Sequence, residues 1–147
     1  MRTFITLLST GFYTGFTPHA PGTAGSILGL LLVWGLASLT IQAYLLAIIL
    51  LLVVGVWVSG RAEEIFGHDG HEIVIDEVFG ILIVFIGLEL SIFNVISGFI
   101  LFRALDIWKP FPCNFMQGLP SGFGVMMDDA IAAVYAHFIL LILGFVL

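Results

Sequence analysis

The sequence predicts an all-α integral membrane protein. The expected form is a bundle of about four to six helices, some short or re-entrant, with the polar loops gathered on one face. Three observations predict it. Of 147 residues, 61% are hydrophobic and 10% charged, with a mean hydropathy of +1.20. Soluble domains run nearer ~45–50% apolar and ~25% charged, and one this small would leave too much apolar surface in water. No Asp, Glu, Lys or Arg occurs from Thr3 to Gly60. Nine of the ten acidic residues, all but Glu89, fall within residues 61–77 and 103–129. The length suits one membrane-embedded domain over residues 1–147.

Charge and cysteine content narrow the function classes. The net charge of −6 and the lack of a basic patch exclude nucleic acid as a partner, and suit a divalent cation. Cys113 is the sole cysteine, so neither an internal disulfide nor a cysteine metal cluster is possible. A signal peptide is not expected, because Gly11, Gly15, Pro18 and Pro21 interrupt the first apolar run.

Taken in order, residues 1–16 are too short to span, since a crossing helix needs ~20 apolar residues; an interfacial or half-buried helix is expected. Residues 15–26 read as a loop with Thr23 or Ser26 as the N-cap of the next helix. Its glycines and hydroxyls also suit an anion cradle at a helix N-terminus. Ile27 to Ala37 and Ala43 to Ser59 form a helical hairpin broken at residues 38–42, with Gly29, Gly35 and Gly55 allowing close packing. Residues 61–72 are a charged, water-facing loop. Residues 78–102 are one long helix or two short ones broken near residues 88–91. A helix then stops before Pro110, a glycine-containing turn at 121–129 delivers Asp128-Asp129, and residues 130–147 close the chain. His137, alone in that last run, reads as a packing residue.

The hairpin alternative for residues 78–102 puts the 15–26, 61–77 and 103–129 segments on one membrane face. Its arms would be ~12 residues, or ~18 Å, short of a ~30 Å bilayer core. It also puts Arg61, Arg103 and Lys109 on one face, with Arg2, which the positive-inside rule makes cytoplasmic.

That face would collect Asp69, Glu72, Asp76, Glu77, Asp106, Asp128 and Asp129 with Arg61, His68, Arg103 and Lys109. Two carboxylates inside the apolar run Ile73–Gly80 must be solvated, paired or metal-bound. Hard oxygen ligands suit Mg²⁺, and Arg and Lys beside them suit phosphate oxygens. Each acidic pair also precedes an apolar helix, where acids serve as caps and dipole partners. Two pairs beside a basic cluster tip the reading toward a metal. Other phosphate chemistries are excluded: Leu119 stands where a Cys-x5-Arg phosphatase needs arginine, and there is no Asp-x-Asp. Nor is there a Gly-x-Ser-x-Gly elbow or His-Glu-x-x-His zinc spacing.

Four stretches together resemble the phosphatidylglycerophosphatase A family. They are Ala20–Ser26, His68-Asp69 with Ile73–Gly80, Phe102-Arg103 with Asp106–Pro112, and Gly124–Asp129. The resemblance covers about residues 11 to 135. It implies a small membrane enzyme needing Mg²⁺, which removes the terminal phosphate of phosphatidylglycerophosphate to give phosphatidylglycerol in the bacterial inner membrane. On that reading Asp76, Glu77, Asp128 and Asp129 are metal ligands, with Asp69 a further possibility. Gly22, Thr23, Ser26, Arg103 and Lys109 bind the substrate phosphate. Asp69, Asp76, Asp106 and Asp129 form the catalytic set, with Asp106 or Asp69 as general base. Membrane lipid is the surrounding partner; the oligomeric state is left open. Two other classes compete: a divalent-cation transporter using Glu89 and the acidic clusters as a pathway, and a non-catalytic headgroup-binding protein.

Overall fold

The computed structural model describes residues 1–146, with side chains described to residue 144. Among these, seven α-helices and no strand are present. They are α1 (Arg2–Ser9), α2 (Pro21–Leu36), α3 (Ile41–Phe66), α4 (Ile75–Val84), α5 (Ile92–Trp108), α6 (Cys113–Gln117) and α7 (Gly122–Val146), with a 3-10 turn at Thr14–Phe16. The five-residue α6 takes the count past the expected four to six.

The protein is a membrane helical bundle. Helix α3 and the segment Gly122–Gly144 of α7 are long and apolar enough to cross a bilayer. On α3 only one stripe is buried, at Tyr44, Ile48, Gly55, Val58, Ser59 and Ala62. Its remaining faces expose Leu46, Ile49, Leu50 and Val53, a surface suited to lipid rather than water.

Helix α4 is the centre. It has only ten residues, ~15 Å at the α-helical rise, yet eight of them are buried. A helix ending inside a bundle leaves carbonyls without intrahelical donors. Here the Tyr44 hydroxyl donates to the Leu82 carbonyl at 2.9 Å, and His137 Nδ1 donates to the Val84 carbonyl at 2.9 Å. The packing role expected for His137 is therefore a specific one. Helix α2 lies against α4 through small residues: a Cβ on Gly25 would come within 2.7 Å of Val74 Cβ, and one on Gly29 within 2.9 Å of Ile81 Cβ. Gly55 accommodates Met126, whereas Gly35, expected to assist packing, has nothing within 4 Å.

Residues 78–102 divide as the hairpin alternative requires, with α4 and α5 joined by a turn at 85–91. The arms are unequal, because α5 runs on to Trp108 for 17 residues. Ser91 starts α5 by accepting from the Asn94 amide at 3.1 Å, an N-cap. Glu89 falls in the turn and is exposed, rather than lying inside a helix.

Three boundaries correct the sequence reading. Pro21 opens α2 with its fixed φ and absent N–H, so Thr23 and Ser26 lie inside the helix rather than capping it. Ser26 is buried and donates to the Gly22 carbonyl at 2.8 Å. The run Arg61-Ala62-Glu63-Glu64 continues α3 to Phe66, since these are good helix formers, and Gly67 at φ 92° ends it. Helix α7 begins at Gly122, where a side chain would overlap the Val56 carbonyl of α3. Asp128 and Asp129 therefore stand in its second turn, not at its end.

Candidate active site

The starts of α2, α4 and α7 converge with the end of α5 and the loop after α3 on one pocket of about 440 Å³. Pro21, Gly22 and Thr23 come from α2, Asp76 and Glu77 from α4, Arg103 and Asp106 from α5, and Asp129 from α7. Asp69 and His71 reach it from the loop, and Lys109 from the C-cap of α5.

Asp76, Glu77 and Asp129 offer oxygens that lie within 4.8 Å of one another. Asp76 is 7% exposed and Asp129 2%. Asp76 Oδ1, Glu77 Oε2 and Asp129 Oδ2 are buried without a hydrogen-bond partner among the described residues. Burial and the neighbouring charges of Glu77 and Asp129 push the Asp76 carboxyl well above the usual range. Burial raises Glu77 as well, against the lowering effects of its contact with Asp76 and the nearby Arg103 charge. Buried, mutually repelling carboxylates with free oxygens are the donor set a divalent cation satisfies.

Two cations flank this group. Arg103 Nη1 donates to Asp106 Oδ2 at 2.7 Å and lies 3.7 Å from Glu77 Oε1. Its Nε is buried and has no partner among the described residues. Lys109 Nζ donates to Asp128 Oδ2 at 2.5 Å and stands 4.0 Å from Asp69 Oδ2. Burial opposes the Lys109 charge, but its bond to Asp128 and the charges of Asp128, Asp69 and Asp129 outweigh that and raise its pKa. It is a fixed positive charge at any physiological pH.

Gly22 is where the α2 N-terminus meets the acids. A Cβ there would overlap Glu77 Oε1 and come within 2.9 Å of Arg103 Nη2. No side chain caps this helix start, so its first-turn N–H groups remain available to a ligand.

The pocket collects most of the residues read from the sequence and leaves two outside its lining. Gly22, Thr23, Asp69, Asp76, Glu77, Arg103, Asp106, Lys109 and Asp129 line it; Ser26 and Asp128 do not. Ser26 is turned into its own helix. Asp128 holds Lys109 and caps the Asp129 amide at 2.9 Å, outside the three-carboxylate group. Glu63 and Gln117 were not legible as site residues. The Asp69 amide donates to Glu63 Oε1 at 3.2 Å, and Gln117 Nε2 donates to Asp69 Oδ2. Together they hold Asp69 at φ 51°, a costly conformation for a non-glycine residue. His19 and His71 also line the pocket; no zinc-type spacing points to either.

Fold and site define a class: a membrane-embedded helical protein whose buried acids, basic side chains and bare helix N-terminus suit a phosphate ester together with a cation. The chain belongs to the phosphatidylglycerophosphatase A family, whose profile matches residues 7–144. It is 36% identical to Phosphatidylglycerophosphatase A of Escherichia coli K12, over 94% of this chain and 82% of that protein. It is 39% identical to Phosphatidylglycerophosphatase A of Haemophilus influenzae, over 90% and 83%. A Putative phosphatidylinositol-3-phosphatase of Bacteroides thetaiotaomicron is 34% identical over 96% and 94%. All three names denote phosphatases, and this chain is a phosphatase of that family. No solved structure matches it at a significant level.

Proposed function

We infer that this chain is a Mg²⁺-dependent phosphatase converting phosphatidylglycerophosphate to phosphatidylglycerol and phosphate, in phospholipid synthesis at the bacterial inner membrane. The observation that carries the reading is the group Asp76, Glu77 and Asp129, with partnerless buried oxygens beside Arg103 and Lys109.

Asp76, Glu77 and Asp129 would hold the metal, and Asp128 acts through Lys109. Hard oxygen donors and the absence of nitrogen or sulfur from the group favour Mg²⁺. When bound, such an ion activates water and neutralises charge on the phosphoryl oxygens.

The chain's own residues do the rest. The amides of Gly22 and Thr23, with the Thr23 hydroxyl, donate to phosphate oxygens at the start of α2. Arg103, whose Nε is buried without a partner among the described residues, and Lys109 bring positive charge to the same oxygens from the pocket lining. Water attacks phosphorus, the bond from phosphorus to the glycerol oxygen breaks, and that oxygen takes up a proton from solvent, to which Asp69 returns the one it removes from the water. Asp69 accepts the proton of the attacking water: it is held in place, partly solvated, and outside both the Arg103–Asp106 pair and the metal group.

The four basic residues support the orientation. Arg2 and Arg61 flank one cavity, and Arg103 and Lys109 belong to the site at the same end of the bundle. The positive-inside rule makes this end cytoplasmic in a multi-pass protein. Glu89, exposed in a turn, speaks against a cation pathway through the bundle.

The test is phosphate release in detergent from phosphatidylglycerophosphate and, in parallel, from phosphatidylinositol 3-phosphate. The proposal expects the first lipid to be turned over with the higher kcat/KM and only with Mg²⁺ present. Faster turnover of the inositol lipid would overturn the substrate assignment.

A further inference from the structure

The exposed face of α5 ends at the mouth of the pocket. Ile96, Ile100, Ala104 and Ile107 recur at the spacing that stacks side chains on one side of a helix, and all four are exposed. Ile100 is 60% exposed, Ile107 74%, and Trp108 beside it 75%. Ile107 directly follows Asp106 and lines the same pocket as Arg103, Lys109 and the buried acids. One apolar stripe therefore joins the lipid-facing side of the bundle to the polar site.

Its length fits a lipid chain lying in one leaflet. Ile96 to Ile107 covers ~16 Å at the α-helical rise, about half of a ~30 Å hydrocarbon core. Trp108 stands at the polar end of the stripe, and tryptophan favours the headgroup level of a bilayer. Phe111, also exposed, extends the apolar edge past the helix. Its carbonyl accepts from the Tyr135 hydroxyl at 3.0 Å, which ties that edge to α7. Ala104 is the small member of the stripe, a low point between Ile100 and Ile107. The exposed stripe of α3 differs: through Leu50 and Val53 it leads to Arg61, which is outside the lining of the pocket.

We propose that the α5 stripe is the track for an acyl chain of the substrate lipid. With the terminal phosphate in the pocket, the chain leaves past Ile107 and Trp108 and runs along Ala104 and Ile100 toward Ile96. This rests on the lipid-phosphatase reading above and adds a source of selectivity to it. A water-soluble phosphate monoester would meet the same acids and bases but none of this surface. Contact with the tail is made in the ground state and the transition state alike, so it acts on KM rather than kcat.

The test varies chain length. Phosphate release by the full-length protein in detergent is measured with dibutanoyl and dioctanoyl phosphatidylglycerophosphate. Wild type is compared with Ala104→Trp and with Val53→Trp, a control on the lipid face of α3. Wild type should use the longer lipid with the higher kcat/KM, by up to about fourfold for each methylene that reaches the stripe. Ala104→Trp should lose most of that gain through a raised KM for the longer lipid, and Val53→Trp should keep it. If Ala104→Trp fails to fold, Ile100→Ala replaces it and must shrink the gain. The track is overturned by no gain in wild type, by a gain unchanged in the α5 variant whatever its absolute rate, or by an equal loss in Val53→Trp; each leaves the phosphatase standing. Release from neither lipid by wild type overturns both.

Discussion

Individual residues at the pocket have separable jobs, and kinetics can tell them apart. Asp69→Asn removes the proposed base without touching the metal group. It should lower kcat by about 10²–10⁴-fold with little change in KM, a magnitude usual for general-base loss. Arg103→Ala should instead raise KM, because it removes a phosphate contact made in the ground state as well; an unchanged KM would remove its clamp role. Gly22→Ala adds only a methyl group, but that group overlaps Glu77 Oε1. Displacing reacting groups by about 1 Å can cost about 10²-fold, so steady-state rates should fall by that order while the protein stays folded. Much of this layer was legible in the sequence, because acids and bases stand out in a charge-poor chain. Asp128 shows the limit. It adjoins Asp129, but successive helical residues point ~100° apart, so one faces the acidic group and the other faces Lys109. Adjacency could not say which.

At the level of elements, α4 is the piece everything else positions. It presents Asp76 and Glu77 in its first turn and ends in the core. Its end depends on Tyr44 and His137, which answer the Leu82 and Val84 carbonyls. Tyr44→Phe keeps the ring and strands the Leu82 carbonyl. It should destabilise the protein by about 1–3 kcal/mol, seen as a lower midpoint in detergent thermal unfolding, with Mg²⁺-dependent activity retained at low temperature. The hairpin of α4 and α5 was legible as one of two alternatives, since charge placement favoured it; the Ser91 cap that starts α5 was not. Helix starts were not. Pro21 and Gly122 begin helices inside stretches whose glycine and proline content read as loop, and α6 has too few residues to leave a periodic signal. Gln117 could not be placed near Asp69 for that reason, because 48 residues separate the two.

At the scale of the whole molecule, the bundle folds around charge it does not balance by itself. In the metal-free protein burial raises the Asp76 and Glu77 carboxyls, so the folded state holds protons that the unfolded chain releases. Folded stability should then be greatest near the ordinary carboxylate range and fall as pH rises through the raised values. Thermal unfolding in chelator across pH 4 to 8, chosen as about the range between ordinary and strongly raised carboxyls, should show that decline. Added Mg²⁺ should flatten it. At a hundred times its dissociation constant, the ion should add about 2.7 kcal/mol. The membrane class was legible from composition alone; the convergence of three helix starts on one pocket follows from packing that no local pattern encodes. The most direct test of the central claim is phosphate release from phosphatidylglycerophosphate by wild type and Asp129→Asn, each with Mg²⁺ and with chelator. We predict release by wild type only with Mg²⁺, and a loss of at least about 10²-fold in the variant, as for removal of a group stabilising the transition state. Wild-type rates from Asp129→Asn would contradict the assignment of the buried acids as the metal site.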